Sequence, residues 1–205
     1  MNLNVLTKSV QIIIVILMTS FYHKISAQTL REVSTLTSPT LKSIKAFDLG
    51  GYKNFDFIVG NWSGRITVGE KCITIDTETN GTNGAAGFHF SPINLSKYSP
   101  DKVFLAIRAR LLRTHNGSHI RLALGTNPKD FTVWDIDVDR FDKDMFKTVL
   151  IPLNTIPVYI GGNGVNLAQV TNIQVVGDYF GNSDFDIEVE SLEILVQEPS
   201  LAQVP

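Results

Sequence analysis

An aromatic ring offers an apolar face to the C–H side of a pyranose, and nearby carboxylate, guanidinium or imidazole groups can take its hydroxyls in pairs. The chain carries both kinds of group: Trp62, Trp134, Tyr159 and Tyr179 as rings, with His89, Arg108, Arg110, Asp135 and Asp137 as polar partners. Arg108 and Arg110 share one face of an alternating run with Phe104, and Asp135 and Asp137 share one face of a later run. These charges read either as cross-strand ion pairs on a solvated face or as the polar lining of a groove that takes a glycan. Trp134 alternates in step with Ile136 and Val138, which assigns its ring to core packing. Trp62 lies in Gly60-Asn-Trp-Ser-Gly64 and fits either an exposed loop aromatic or a plug over one end of the domain. The candidate ligand-binding set is therefore Trp62, His89, Arg108, Arg110, Asp135, Asp137 and Tyr179.

Catalytic patterns are not found. The chain has no nucleophile elbow, no Walker loop and no zinc-protease helix. Glycoside hydrolysis needs two carboxyls at a set separation across a cleft, and a domain this small has few loops with which to build one. A small lyase or hydrolase would have to gather His89, Arg108 and acidic residues in such a cleft. His115 and His119 bracket a turn, but no further Cys or His supports a transition-metal site there. Cys72, the single cysteine, sits in the alternating segment Lys71-Cys-Ile-Thr-Ile-Asp76 and reads as a small buried side chain. One thiol allows no internal disulfide, so the core alone must hold the fold.

The elements that would position these groups are short strands. Lys102–Leu111 sets Val103, Leu105, Ile107 and Ala109 against Phe104, Ala106, Arg108 and Arg110, the period of a half-buried strand. His119–Leu124 repeats the pattern with Ile120, Leu122 and Leu124, after a His115-Asn-Gly-Ser118 turn that predicts a hairpin between the two. Gly64–Val68 and Cys72–Asp76 flank Gly69-Glu70 as a second hairpin. Ala85–Phe90, Phe131–Val138, Phe146–Leu153, Thr171–Gly177 and Asp184–Leu195 complete the series, separated by Gly, Asn, Asp and Pro clusters. No window sustains a helical apolar period. Eight or nine half-buried strands predict an all-β fold, a two-sheet antiparallel β-sandwich.

The 205 residues carry a formal charge of −2 with both signs interspersed, so nothing favours nucleic acid or an anionic membrane surface. Lys8, the apolar run Val10–Met18 and the small residue Ala27 have the layout of a secretory signal peptide over residues 1–27. That run is shorter than the roughly 20 residues that span a bilayer, so no membrane span is expected after cleavage. The sequence thus predicts a secreted product, periplasmic or extracellular. Residues 28–46 read as a linker or N-terminal arm, 47–197 as the β-sandwich domain and 198–205 as a C-terminal tail.

Several segments resemble the galactose-binding-like superfamily of jelly rolls, which includes many carbohydrate-binding modules. They are Pro92–Tyr98 running into Val103–Arg108, Phe146-Lys-Thr-Val-Leu-Ile-Pro-Leu153, Leu167–Asp178 and Phe185–Ile194. The same segments also resemble domains of the complex I intermediate-associated type. The resemblance implies a jelly-roll sandwich and no required cofactor. It also implies a structural Ca²⁺ near Asp48 and Glu190, where hard oxygen ligands would suit that ion. As partner it implies a carbohydrate or, from the exposed arm and a free sheet edge, another extracellular or envelope protein. Three functions stay open at this point: a non-catalytic glycan-binding module, an assembly protein of the envelope or matrix, and a small jelly-roll polysaccharide lyase or hydrolase.

Overall fold

A computed structural model describes residues 40–51, 53–77, 84–113, 119–177 and 186–198. The expected signal peptide, Tyr179, His115 and most of the arm and tail lie outside them. The described residues form twelve strands: β1 (Leu41–Asp48), β2 (Phe57–Gly60), β3 (Ile66–Val68), β4 (Ile73–Asp76), β5 (Gly84–Ile93), β6 (Val103–Arg113), β7 (His119–Gly125), β8 (Phe131–Asp137), β9 (Lys147–Pro152), β10 (Tyr159–Gly161), β11 (Val170–Val176) and β12 (Asp186–Gln197). The only helical pieces among them are two 3₁₀ turns, Pro100–Lys102 and Val138–Arg140.

The strands make two six-stranded sheets with every pairing antiparallel. The first runs β3-β4-β12-β6-β9, with β1 also paired to β12; the second runs β10-β8-β7-β11-β5-β2. Strand β12 is long enough for one edge to serve two partners, β4 along Asp186–Val189 and β1 along Ser191–Gln197. The alternating apolar sets point inward from both sheets and meet between them. Leu105, Ile107, Ile187, Leu192 and Ile194 from the first sheet join Ile120, Leu122, Leu124, Trp134, Ile173 and Val175 from the second in one buried cluster. Removing this apolar area from water is the main force holding a domain that has no disulfide. The architecture is the two-layer antiparallel β-sandwich that the alternation predicts.

Two local expectations need correction. Strand β1 begins at Leu41, inside the segment read as an arm, because its backbone completes the free edge of β12. Leu41-Lys-Ser-Ile-Lys-Ala-Phe-Asp48 is mostly exposed and lacks strict alternation, so periodicity could not reveal it. Strands β6 and β7 are not a hairpin either: β6 pairs with β12 and β9, whereas β7 pairs with β8 and β11. The chain crosses between layers there, so the two apolar stripes face each other through the core.

Candidate functional site

The outer faces of the two sheets differ in chemistry. On the first, Arg113, Arg110 and Arg108 of β6 stand beside Asp186, Glu188 and Glu190 of β12 as a ladder of ion pairs. Arg113 Nε lies 2.7 Å from Asp186 Oδ2 and Arg110 Nε 2.5 Å from Glu188 Oε2, while Arg108 Nε donates to Glu190 Oε2. Phe146 lies 5.0 Å from the Arg110 guanidinium and 5.9 Å from that of Arg108, a cation–π arrangement. Arg108 and Arg110 are thus engaged with β12. They are separated by the whole sandwich from Asp135 and Asp137, which belong to the second sheet.

Asp48 and Glu190, the neighbourhood of the expected calcium, belong to strands β1 and β12 of this same sheet. The Glu190 carboxylate is taken by Arg108, and Asp48 is an exposed residue of β1 paired in register with Ser191. Among the described residues no three His, Cys, Asp or Glu side chains gather where they could hold a metal ion. Cys72 lies nearby; burial first, and then the negative charge of Glu188, push its thiol above the ordinary value of 9.0.

The second sheet presents a different surface. Its registers align the outward residues into rows that cross the strands. One row reads Phe57, Gly87, Gln174, Ala123, Val133, Tyr159 from β2 to β10. The next, two residues along, reads His89, Asn172, Gly125, Phe131, Gly161 from β5 to β10, and on the other side Arg121 of β7 pairs with Asp135 of β8. Ala85, Ala123, Val133 and Val176 are almost fully buried here yet form their own cluster, apart from the main core, with Phe131 packed against it. These small side chains are closed off from solvent by taller neighbours, and among the polar groups of this face that solvent reaches are His89, Gln174, Arg121 and Asp135.

Glycine sets the posture of the Phe131 ring at one side of that stretch. A Cβ on Gly161 would lie 2.5 to 2.8 Å from three carbons of the Phe131 ring, and one on Gly87 would lie 2.9 Å from Phe57 Cζ. The Phe131 ring thus lies across the bare backbone of Gly161, whereas Phe57 reaches Gly87 with the tip of its ring, where the Ile173 carbonyl is the closer neighbour; both rings are half-buried. Phe131 is flanked by Tyr159 at a centroid distance of 5.7 Å, and Phe57 by His89 at 4.5 Å. Tyr159 is 45% exposed. The two platforms are four strand spacings apart, roughly 19 Å.

Polar groups fill the space between them. Arg121 Nε lies 2.6 Å from Asp135 Oδ1, with the two side chains only 16% and 27% exposed. Gln174 Nε2 donates to Asn172 Oδ1 at 2.7 Å, and Asn172 lies in the room left by the missing side chain of Gly125. Beyond Phe131, a pocket of about 240 Å³ is lined by Thr126, Asp130, Asn163, Gly164, Val165 and Asn166. Asp130 accepts from the Asn163 backbone N–H at 2.9 Å and from Asn127 Nδ2 at 2.6 Å. These bonds hold its carboxyl below the ordinary 3.8 and tie the Gly161–Gly164 turn to the β7–β8 connection, so the floor under Phe131 is braced.

Of the residues singled out from sequence, His89 and Asp135 fall on this face, as does Tyr159. Asp137 closes the same strand and its Oδ1 accepts from the Asp139 N–H at 3.0 Å. Arg108 and Arg110 lie on the opposite face of the sandwich. Trp62 is 0% exposed and packs against Gly84, so it plugs the core. Trp134 is buried too, its Nε1 donating to Thr155 O at 3.0 Å. Phe57, Phe131, Arg121, Asn172 and Gln174 are the residues that sequence reading missed. The available signal was polar or glycine positions alternating with Ile120-Leu122-Leu124 and with Ile173-Val175.

No protein-family model matches the chain, and no curated protein matches it by sequence. Solved structures do resemble it. A family 30 carbohydrate-binding module is 13% identical with a TM-score of 0.51, over 79% of this chain and 92% of that one. The agarase AgWH50C is 12% identical with a TM-score of 0.50, over 79% of this chain but only 25% of the agarase. The family 11 carbohydrate-binding module of a Clostridium thermocellum cellulosomal cellulase is 14% identical, with a TM-score of 0.48 over 79% and 97% of the two chains. At these identities the likeness is one of fold.

Proposed function

We propose that this chain is an exported, non-catalytic module that binds a glycan across the outer face of its second sheet. The observation that carries the reading is the pair of half-buried rings, Phe131 laid across Gly161 and Phe57 beside His89, on either side of a stretch with polar groups. The open part of each ring supplies apolar contact for a sugar face, and Gln174 with the Arg121–Asp135 pair supplies donors and acceptors for hydroxyls. The fold is one that carbohydrate-binding modules use. Export rests on the residues 1–27 pattern.

A catalytic reading would gather His89, Arg108 and carboxylates in one cleft, and His89 and Arg108 stand on opposite faces of the sandwich. The test is affinity electrophoresis of the wild type, Phe57→Ala and Phe131→Ala in gels containing soluble polysaccharides. The wild type should be retarded in at least one gel, and each variant should run faster there while melting as a folded protein. Equal mobility of all three in a retarding gel would move the site off this face.

A further inference from the structure

The charge inventory of the same face narrows the ligand. The six strands of the second sheet contain one cation, Arg121, two carboxylates, Asp135 and Asp137, and two histidines. The cation is matched by Asp135 at 2.6 Å, and that ion pair is the most charged feature on the floor. Among the described residues, the group between the platforms that solvent reaches besides this pair is the neutral Gln174 amide; Asn172, Ala123 and Val133 are buried beneath it.

We infer that the face selects a neutral glycan, one long enough to lie on both ring platforms at once, and discriminates against uronate- or sulfate-bearing chains; this rests on the glycan-binding reading above. Recognition of a polyanion needs cations in excess, and here a sugar carboxylate would meet Asp135 and Asp137 with a single arginine already neutralised. A hydroxyl, by contrast, both donates and accepts. A guanidinium beside a carboxylate gives it one of each. The distance between the rings sets the length requirement: a short oligosaccharide reaches one platform, and a chain extending over roughly 19 Å reaches both.

The experiment is calorimetric titration with neutral polysaccharides (mixed-linkage β-glucan, xylan, galactomannan, agarose fragments) and with anionic ones (polygalacturonate, alginate, carrageenan). It is repeated at about 0.01 M and about 1 M salt, where the screening length falls tenfold. A neutral chain should bind with less than a twofold change between the two salts, and oligomers should gain affinity until they span both rings. Gln174→Lys, which adds a cation to the floor, should weaken the neutral chain and gain an anionic one in low salt. Tighter binding of an anionic chain by the wild type, lost at high salt, would overturn the inference while leaving glycan binding intact. So would affinity that stops rising at lengths too short to bridge. Binding of no polysaccharide of either class would take down the glycan reading with it.

Discussion

Replacing Gly161 with alanine separates the posture of Phe131 from its mere presence. The backbone at Gly161 is not in the left-handed region, so alanine is conformationally allowed there. Its Cβ, however, would sit 2.5 Å from Phe131 Cε1 and 2.8 Å from Cδ1 and Cζ. Carbon atoms settle about 3.5–4.0 Å apart, so the ring must retreat by roughly 1 Å and tilt off the sheet. An off-rotamer shift of that kind costs about 1 kcal/mol, which for a domain of this size lowers Tm by about 2–4 °C. The lost ring face is worth roughly 0.5–1.5 kcal/mol of sugar contact, about a two- to twelvefold rise in Kd. The first assay needs no ligand. In NMR spectra the Gly161 Hα protons should be shifted upfield by the ring above them, and Phe131→Ala should abolish that shift. The second is a double-mutant cycle in affinity: Gly161→Ala added to Phe131→Ala should cost nothing further. Unshifted Gly161 protons, or additive losses in the cycle, would refute the idea that glycine lays this ring flat.

Asp135→Leu should destabilise the domain by roughly 1–3 kcal/mol, because the Arg121 guanidinium loses its carboxylate in a mostly buried place, while Arg121→Met with Asp135→Leu should recover most of that loss in urea titrations. The Asp130 carboxyl is held low by the Asn163 N–H and Asn127, so its contribution to stability is complete above its ordinary value and fades as pH falls through the depressed one. Asp130→Asn should therefore flatten the fall in urea midpoint below about pH 5, and an unchanged acid limb would show that the carboxylate does not brace the Gly161–Gly164 turn. Glu188→Gln removes a charge that raises the Cys72 thiol, so labelling by a thiol reagent near pH 8 should speed up; a slower reaction would reverse the assigned sign.

Alternation along Val103–Leu111, His119–Leu124 and Thr171–Val176 was enough to determine strands, their buried sides and a two-layer antiparallel fold, because the side-chain period of two is a local property of extended backbone. Alternation also placed Trp134 inside, and left Trp62 between two environments that only packing against Gly84 could resolve. Partnership is another matter. Arg108 and Arg110 face Glu190 and Glu188 some eighty positions away, and Arg121 faces Asp135, because register between distant segments sets who stands beside whom. The same holds for the rings. Phe131 and Phe57 look like ordinary strand residues until pairing sets Gly161 and Gly87 beside them, a juxtaposition that no single segment contains. Local periodicity decided which residues face out; only the assembled sheet decided which of them share a face, since the two layers expose chemically opposite surfaces built from the same alternating pattern.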